Sequence, residues 1–152
     1  MIQENILSKD PVLEDWRQTQ DWAKQHSERT AVFLVPSYTD GFQVFSERAI
    51  VADWKDGTVG YLSPEYLHEW WNRMEELGID KTHYSLDDQI KAYSSLSQGK
   101  VQNLSAKYKA DYFVTDKTDK SYDLEKVNSN RNFIVYRIRP NPAQAEFEGL
   151  SR

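Results

Sequence analysis

Cysteine is absent from the 152 residues of this chain. Disulfides, thiolate zinc sites and cysteine nucleophiles are thereby excluded, while the redox compartment stays open. Long apolar runs are absent too: no stretch approaches the ~18 residues that a membrane-spanning helix needs. The opening Met1-Ile2-Gln3-Glu4-Asn5 has neither a basic n-region nor an apolar h-region, so it is not expected to act as a secretory signal. If the domain works outside the cytoplasm, something beyond this chain must put it there. A basic stripe is also missing. The formal net charge is −5, and binding nucleic acid requires clustered Lys and Arg to neutralise phosphates, so no nucleic-acid partner is expected.

The usual catalytic signatures are scarce. Pro36-Ser37-Tyr38-Thr39-Asp40-Gly41 contains one glycine and no helix-opening repeat, so it carries no dinucleotide fingerprint. No serine sits in a nucleophile elbow. The only histidines are His26, His68 and His83, and no two stand at metal-ligand spacing. No metal, cofactor or catalytic residue is therefore assigned.

What is present fits one globular domain. A chain of 152 residues with 39% hydrophobic and 28% charged content has the size and balance of a single core. Five Trp and nine Tyr make much of that core aromatic. The domain is expected to span 1–152, with a core at about 11–139 and polar tails at 1–9 and 140–152.

Asp10-Pro11 reads as an N-cap followed by proline at the first helical position, and Leu13, Trp16, Gln20 and Ala23 share one face of a helix near 11–26. Ala31-Val32-Phe33-Leu34-Val35 and Arg48-Ala49-Ile50-Val51-Ala52-Asp53-Trp54 are apolar runs without alternation, the pattern of strands covered on both faces. Phe42-Gln43-Val44-Phe45 reads as a short edge strand or a turn. Ser63-Pro64 starts a helix whose Leu67, Trp70, Trp71, Met74 and Leu77 form an apolar stripe, with Gly78 as its stop. A further helix follows Ser85, with Leu86, Ile90 and Tyr93 on one face. Another runs through Val101, Leu104 and Tyr108. Strands are expected at 110–115 and 133–138, with a short partner near Val127-Asn128. This order predicts an α/β fold: a three-layer domain with a mixed, mainly parallel sheet and a C-terminal antiparallel strand pair. The strands at 31–35, 49–53 and 111–115 should be neighbours, the first two parallel.

Several short segments carry a resemblance. Asp21-Trp22-Ala23, Thr30 to Pro36, Phe42, Phe45-Ser46-Glu47-Arg48, Val51 to Lys55, Ala110 to Val114 and Asn132 to Tyr136 resemble, in order and spacing, the C-terminal soluble domain of bacterial polytopic membrane proteins of the C-type glycosyltransferase superfamily. A related family of unknown function is more similar still. The resemblance covers roughly 14–139. In that superfamily the catalytic carboxylate lies between membrane helices, which this chain lacks. The resemblance therefore implies a non-catalytic accessory domain on the extracytoplasmic side of a bacterial membrane. Its implied partners are the transmembrane part of its parent protein and a lipid-linked sugar. A cytoplasmic location is the alternative if Met1 is the native start.

In open α/β sheets, ligands favour the crevice at the carboxyl ends of parallel strands. That rule selects Tyr38 in the first loop, Asp53, Trp54 and Lys55 in the second, and Asp116 in the third. Arg48 opens the second strand; its planar guanidinium can recognise an anion, and it is expected at or beside one concave surface with Asp53 and Lys55. In Asp53-Trp54-Lys55 the carboxylate can accept hydroxyl hydrogen bonds, the indole can stack on a ring, and the ammonium can pair with anionic oxygen. The alternative places Trp54 in the core, with Asp53 and Lys55 as turn and ion-pair residues and Arg48 paired to Glu47 or a nearby acid. Three functions remain open: the accessory domain, a free-standing module binding a sugar or phosphate, and a small hydrolase or transferase using Asp53 and Asp116.

Overall fold

A strand that is apolar at every position has to hide both of its faces, and the computed structural model shows how this is done. It describes residues 10–57, 63–117 and 120–138. The tails expected at 1–9 and 140–152 lie outside these residues. The elements are α1 (Pro11–His26), β1 (Val32–Leu34), α2 (Phe42–Ser46), β2 (Ala49–Ile50), α3 (Pro64–Glu76), α4 (Leu86–Ser94), α5 (Gln98–Tyr108), β3 (Tyr112–Asp116), β4 (Glu125–Ser129) and β5 (Phe133–Arg137). The strands form one five-stranded sheet in the order β2-β1-β3-β5-β4. β1 runs parallel to both β2 and β3, whereas β5 runs antiparallel to β3 and β4. The fold is α/β with a mixed sheet, and the three expected strands are neighbours with the first two parallel.

Successive strand residues point to opposite faces. Phe33, Val35, Tyr112, Val114, Phe133 and Val135 join one buried cluster with Trp16 and Ala23 of α1 and Phe42 of α2. Leu34, Phe113, Ile134 and Tyr136 join another with Trp70 and Met74 of α3, Tyr93 of α4, and Val101 and Leu104 of α5. Different helices thus cover the two faces of the sheet.

The helix ends follow the sequence signals. The Asp10 carboxylate accepts from Val12 N–H at 2.9 Å, Ser63 Oγ accepts from Tyr66 N–H at 3.2 Å, and Ser85 with Asp88 forms a reciprocal capping box. Gly78 ends α3 at φ 88°, a left-handed conformation that glycine adopts without steric cost.

Of the two readings of Phe42 to Phe45, the turn holds, as a helical turn over Phe42–Ser46, and two other expectations are corrected. Gly41, at φ 76°, redirects the chain so that Phe42 and Ser46, four residues apart, both point inward, and Ser46 Oγ donates to the Phe42 carbonyl at 2.5 Å. The second strand is only Ala49–Ile50, because the chain turns away once Val51 N–H has bonded to the Phe33 carbonyl at 2.9 Å. Leu13, Leu86 and Ile90 are exposed, at 61%, 60% and 39%. The inward face of α4 is carried by Gln89 and Tyr93 instead.

Tyr93 closes the interior. Its ring is buried against Phe113, and its hydroxyl lies 2.5 Å from the Val114 carbonyl and 3.3 Å from the Leu34 carbonyl. One phenol on α4 thereby fastens the ends of β1 and β3. Tyr93→Phe removes that donor and should lower stability by about 1–2 kcal/mol. Urea unfolding should show a lower midpoint with an unchanged slope; an unchanged midpoint would show that the two carbonyls do not depend on Tyr93.

Candidate functional site

Parallel β1 and β2 send their C-terminal loops to the same edge of the sheet. The loops are tied together there: Trp54 N–H donates to the Ser37 carbonyl at 2.8 Å. The first loop is held on its other side by the indole N–H of Trp16, which donates to the Asp40 carbonyl at 2.9 Å. The third loop joins through Tyr38, whose hydroxyl donates to the carboxylate of Asp116 at the end of β3. The three loops selected by strand topology therefore meet.

Between them and the N-terminus of α4 lies a crevice of about 570 Å³. Its walls include Tyr38, Trp54, Lys55, Tyr84 and Gln89, with Asp40 beside them. Trp54 is half-buried in an aromatic group. Tyr84 stacks on it at 5.6 Å and 9°, Trp70 tilts against it at 5.1 Å, and Trp71 meets it edge-on at 5.9 Å. One face of Trp54 is thus taken by Tyr84, and Tyr84, itself 50% exposed, is aromatic surface that a ligand can reach. The polar floor is built from buried groups. Ser37 Oγ donates to Gln89 Oε1 at 3.1 Å, and Gln89 Nε2 donates to the Tyr84 carbonyl at 3.1 Å. At the mouth, Lys55 pairs with Asp40 at 3.4 Å, both exposed.

Of the residues expected at the site, Tyr38, Trp54 and Lys55 line the crevice and Asp116 holds Tyr38 from behind. Asp53 stands behind Trp54 and is only 5% exposed. Its carboxylate accepts from Asp56 N–H at 2.8 Å, and its carbonyl accepts from the indole N–H of Trp70 at 2.8 Å. Gly57 completes this turn. A Cβ there would lie 2.5 Å from the Trp70 ring, so the close approach requires glycine.

Arg48 is not part of the crevice, which corrects the expectation that it shares a concave surface with Asp53 and Lys55. It is 7% exposed and turned to the end of α1. Its guanidinium donates to the Lys24 carbonyl at 2.8 Å, the Ser27 carbonyl at 2.9 Å and Ser27 Oγ at 2.9 Å. A cation at a helix C-terminus meets unpaired carbonyls and the negative end of the helix dipole. Glu47 pairs with Lys24 at 3.2 Å instead of with Arg48.

Sequence reasoning missed Tyr84 and Gln89. Gln89 could have been found, because it lies four residues before Tyr93 and so shares the inward face of α4. Tyr84 directly precedes the N-cap, a position that fixes how the chain enters the helix.

The carboxylates behind the crevice share one electrostatic feature. Burial pushes Asp53 up from 3.8 to about 6, partly offset by the Asp56 N–H, with Asp56 and Asp40 adding repulsion. Burial likewise raises Asp56 and Asp116, and it raises the Tyr38 phenol, which Asp116 raises further. Asp53 is engaged with Asp56 and Asp116 with Tyr38, so neither is presented to a substrate as a pair of cooperating acids would be.

Residues 14–77 match a family model described as a domain of unknown function (DUF6798). The matched stretch holds Tyr38, Arg48, Asp53, Trp54 and Lys55, while Tyr84, Gln89 and Asp116 lie beyond it. No curated protein matches the chain, and no solved structure does. Among the described residues, no helix is long and apolar enough to cross a membrane.

The raised Asp53 value has a sign that can be checked. Between 3.8 and about 6 the folded chain keeps a proton that the unfolded chain has released. The Asp53 contribution to stability is then complete below the unfolded value and lost as pH rises through the folded one. Asp53→Asn keeps an oxygen for Asp56 N–H and removes the titration. From about pH 4 to about pH 7 the variant should gain roughly 1–2 kcal/mol on the native chain, allowing for solvent screening. Parallel stability profiles would show that Asp53 titrates normally.

Proposed function

We propose that this chain is a non-catalytic, ligand-facing domain that holds a polar ring of the sugar class in the crevice beside Trp54 and Tyr84. The observation that carries this reading is the composition of that crevice: aromatic walls, a floor of buried hydroxyl and amide groups, and a charged pair at the mouth. Sugars present apolar C–H faces and hydroxyl edges. Aromatic rings match the first and side-chain amides and hydroxyls match the second. The strand topology supports the same location, because the crevice lies beyond the carboxyl ends of parallel β1 and β2.

The resemblance to soluble domains of polytopic glycosyltransferase-like proteins supports a wider proposal. In it the chain is the extracytoplasmic part of a larger membrane protein, and the ring it meets is the sugar of a lipid-linked carbohydrate. The parent protein's membrane-embedded region would supply the chemistry. The engagement of Asp53 and Asp116 by their own neighbours favours binding over a hydrolase or transferase acting through those two carboxylates.

Calorimetric and NMR titration of the full chain with neutral, amine-bearing and phosphorylated mono- and disaccharides tests the site. At least one class should perturb Tyr38, Trp54, Tyr84 and Gln89 together. Tyr84→Ala should weaken that binding by about three- to tenfold, the size of one lost aromatic contact. It should leave the unfolding midpoint nearly unchanged, since the ring is half exposed. A panel that leaves the crevice signals unmoved would overturn the reading.

A further inference from the structure

The charge around the crevice restricts which sugar it can take. Lys55 is the cation at the mouth, and it is already engaged by Asp40 at 3.4 Å. Behind the wall stand Asp53 and Asp56, which repel each other, and Asp116 lies behind Tyr38. The N-terminus of α4 would ordinarily attract an anion. Here Asp88 caps it through Ser85 N–H at 3.0 Å, and Asp87 adds a second carboxylate to the first turn. A further cation, Lys81, lies 5.7 Å from the centre of the Trp71 ring, and the His83 ring contacts the Asp80 carboxylate at 3.3 Å. A phosphate entering this space would sit in the field of the carboxylates behind its walls, beside a lysine already engaged. An ammonium would meet Asp40 at the mouth and the aromatic faces, and the field of the carboxylates behind them attracts it too.

We propose that the crevice selects a saccharide carrying an amine and discriminates against phosphorylated sugars, with Asp40 as the residue that receives the amine. The inference rests on the sugar-binding reading of the same crevice and gives it a chemical class. It reverses the role expected of Lys55. Lys55 does not receive an anionic oxygen of the ligand; it competes with the ligand for Asp40. If the sugar is lipid-linked, its amine-bearing ring enters the crevice and its phosphate stays outside.

The sign of the Lys55 effect decides the matter. NMR titrations of the full chain would use glucosamine disaccharide, its N-acetylated counterpart and glucose 1-phosphate as probes. The native chain should bind the free-amine probe most tightly and glucose 1-phosphate least. Lys55→Met releases Asp40 from its ion pair and should strengthen binding of the free-amine probe by about two- to fivefold, the range of one exposed ion pair. Asp40→Asn should weaken it by a similar factor, leaving the N-acetylated probe unchanged. Tighter binding of glucose 1-phosphate, lost in Lys55→Met, would overturn the amine assignment while sustaining the sugar-binding reading. Equal binding of the free-amine and N-acetylated probes would do the same. If none of the three moves the crevice signals, both fall.

Discussion

The crevice depends on the hydrogen bond from Trp54 N–H to the Ser37 carbonyl. Strands β1 and β2 pair over only two registered positions, Val32 with Ala49 and Phe33 with Ile50, so the ladder alone does not fix the course of the two loops beyond it. The Val51 and Trp54 amides carry the connection outward, to Phe33 and then to Ser37. With the two loops joined, Trp54 lies against Trp70, Trp71 and Tyr84. The indole of Trp70 locks the Asp53 carbonyl, Arg73 Nη1 donates to the Val51 carbonyl at 2.6 Å, and α3 is thereby bound to the same turn. Helix α4 meets the first loop through Ser37 and Gln89. Each wall of the crevice is thus referred back to two adjacent loops held at one backbone contact.

That arrangement places carboxylates where they are poorly solvated. Asp53 loses water when Trp54 and Trp70 close over its turn, and a single backbone N–H is a partial replacement. A buried acid with incomplete compensation lowers stability at neutral pH, and such groups collect near binding sites more often than elsewhere. Asp116 shows the same pattern on the third loop, with the Tyr38 phenol as its donor. The acidic ring behind the aromatic wall and the ion pair at the mouth together set the electrostatic character of the cavity, which the net charge of −5 reinforces at longer range.

The larger features of the fold were legible in the sequence because they rest on local signals. Asp10-Pro11, Ser63-Pro64 and Ser85 marked three helix starts, and the unbroken apolar run at β1 marked a strand hidden on both sides. The short helix at Phe42–Ser46 was not legible, since it depends on the left-handed Gly41 and on packing of Phe42 against Trp16 and Phe33. Apolar periodicity misplaced Leu13, Leu86 and Ile90, because period says which residues share a face and not whether a neighbour covers it. The strand-end rule pointed to Tyr38, Trp54 and Lys55, which line the crevice. Arg48 stands at the start of its strand, outside that rule, and nothing in strand order shows that its guanidinium turns back to the end of α1. Tyr84 and Gln89 were hidden because their proximity to Trp54 and Ser37 spans long sequence separations.

Native-state hydrogen exchange at the Trp54 amide tests the dependence of the crevice on its central contact most directly. If the loops are fixed as described, this amide exchanges as slowly as those of Phe33 and Leu34 in β1, through the same global opening, although it lies outside any strand. Exchange at the rate of an exposed loop amide, with β1 still protected, would contradict the account: the two loops would then move independently and the crevice would not be a preformed site.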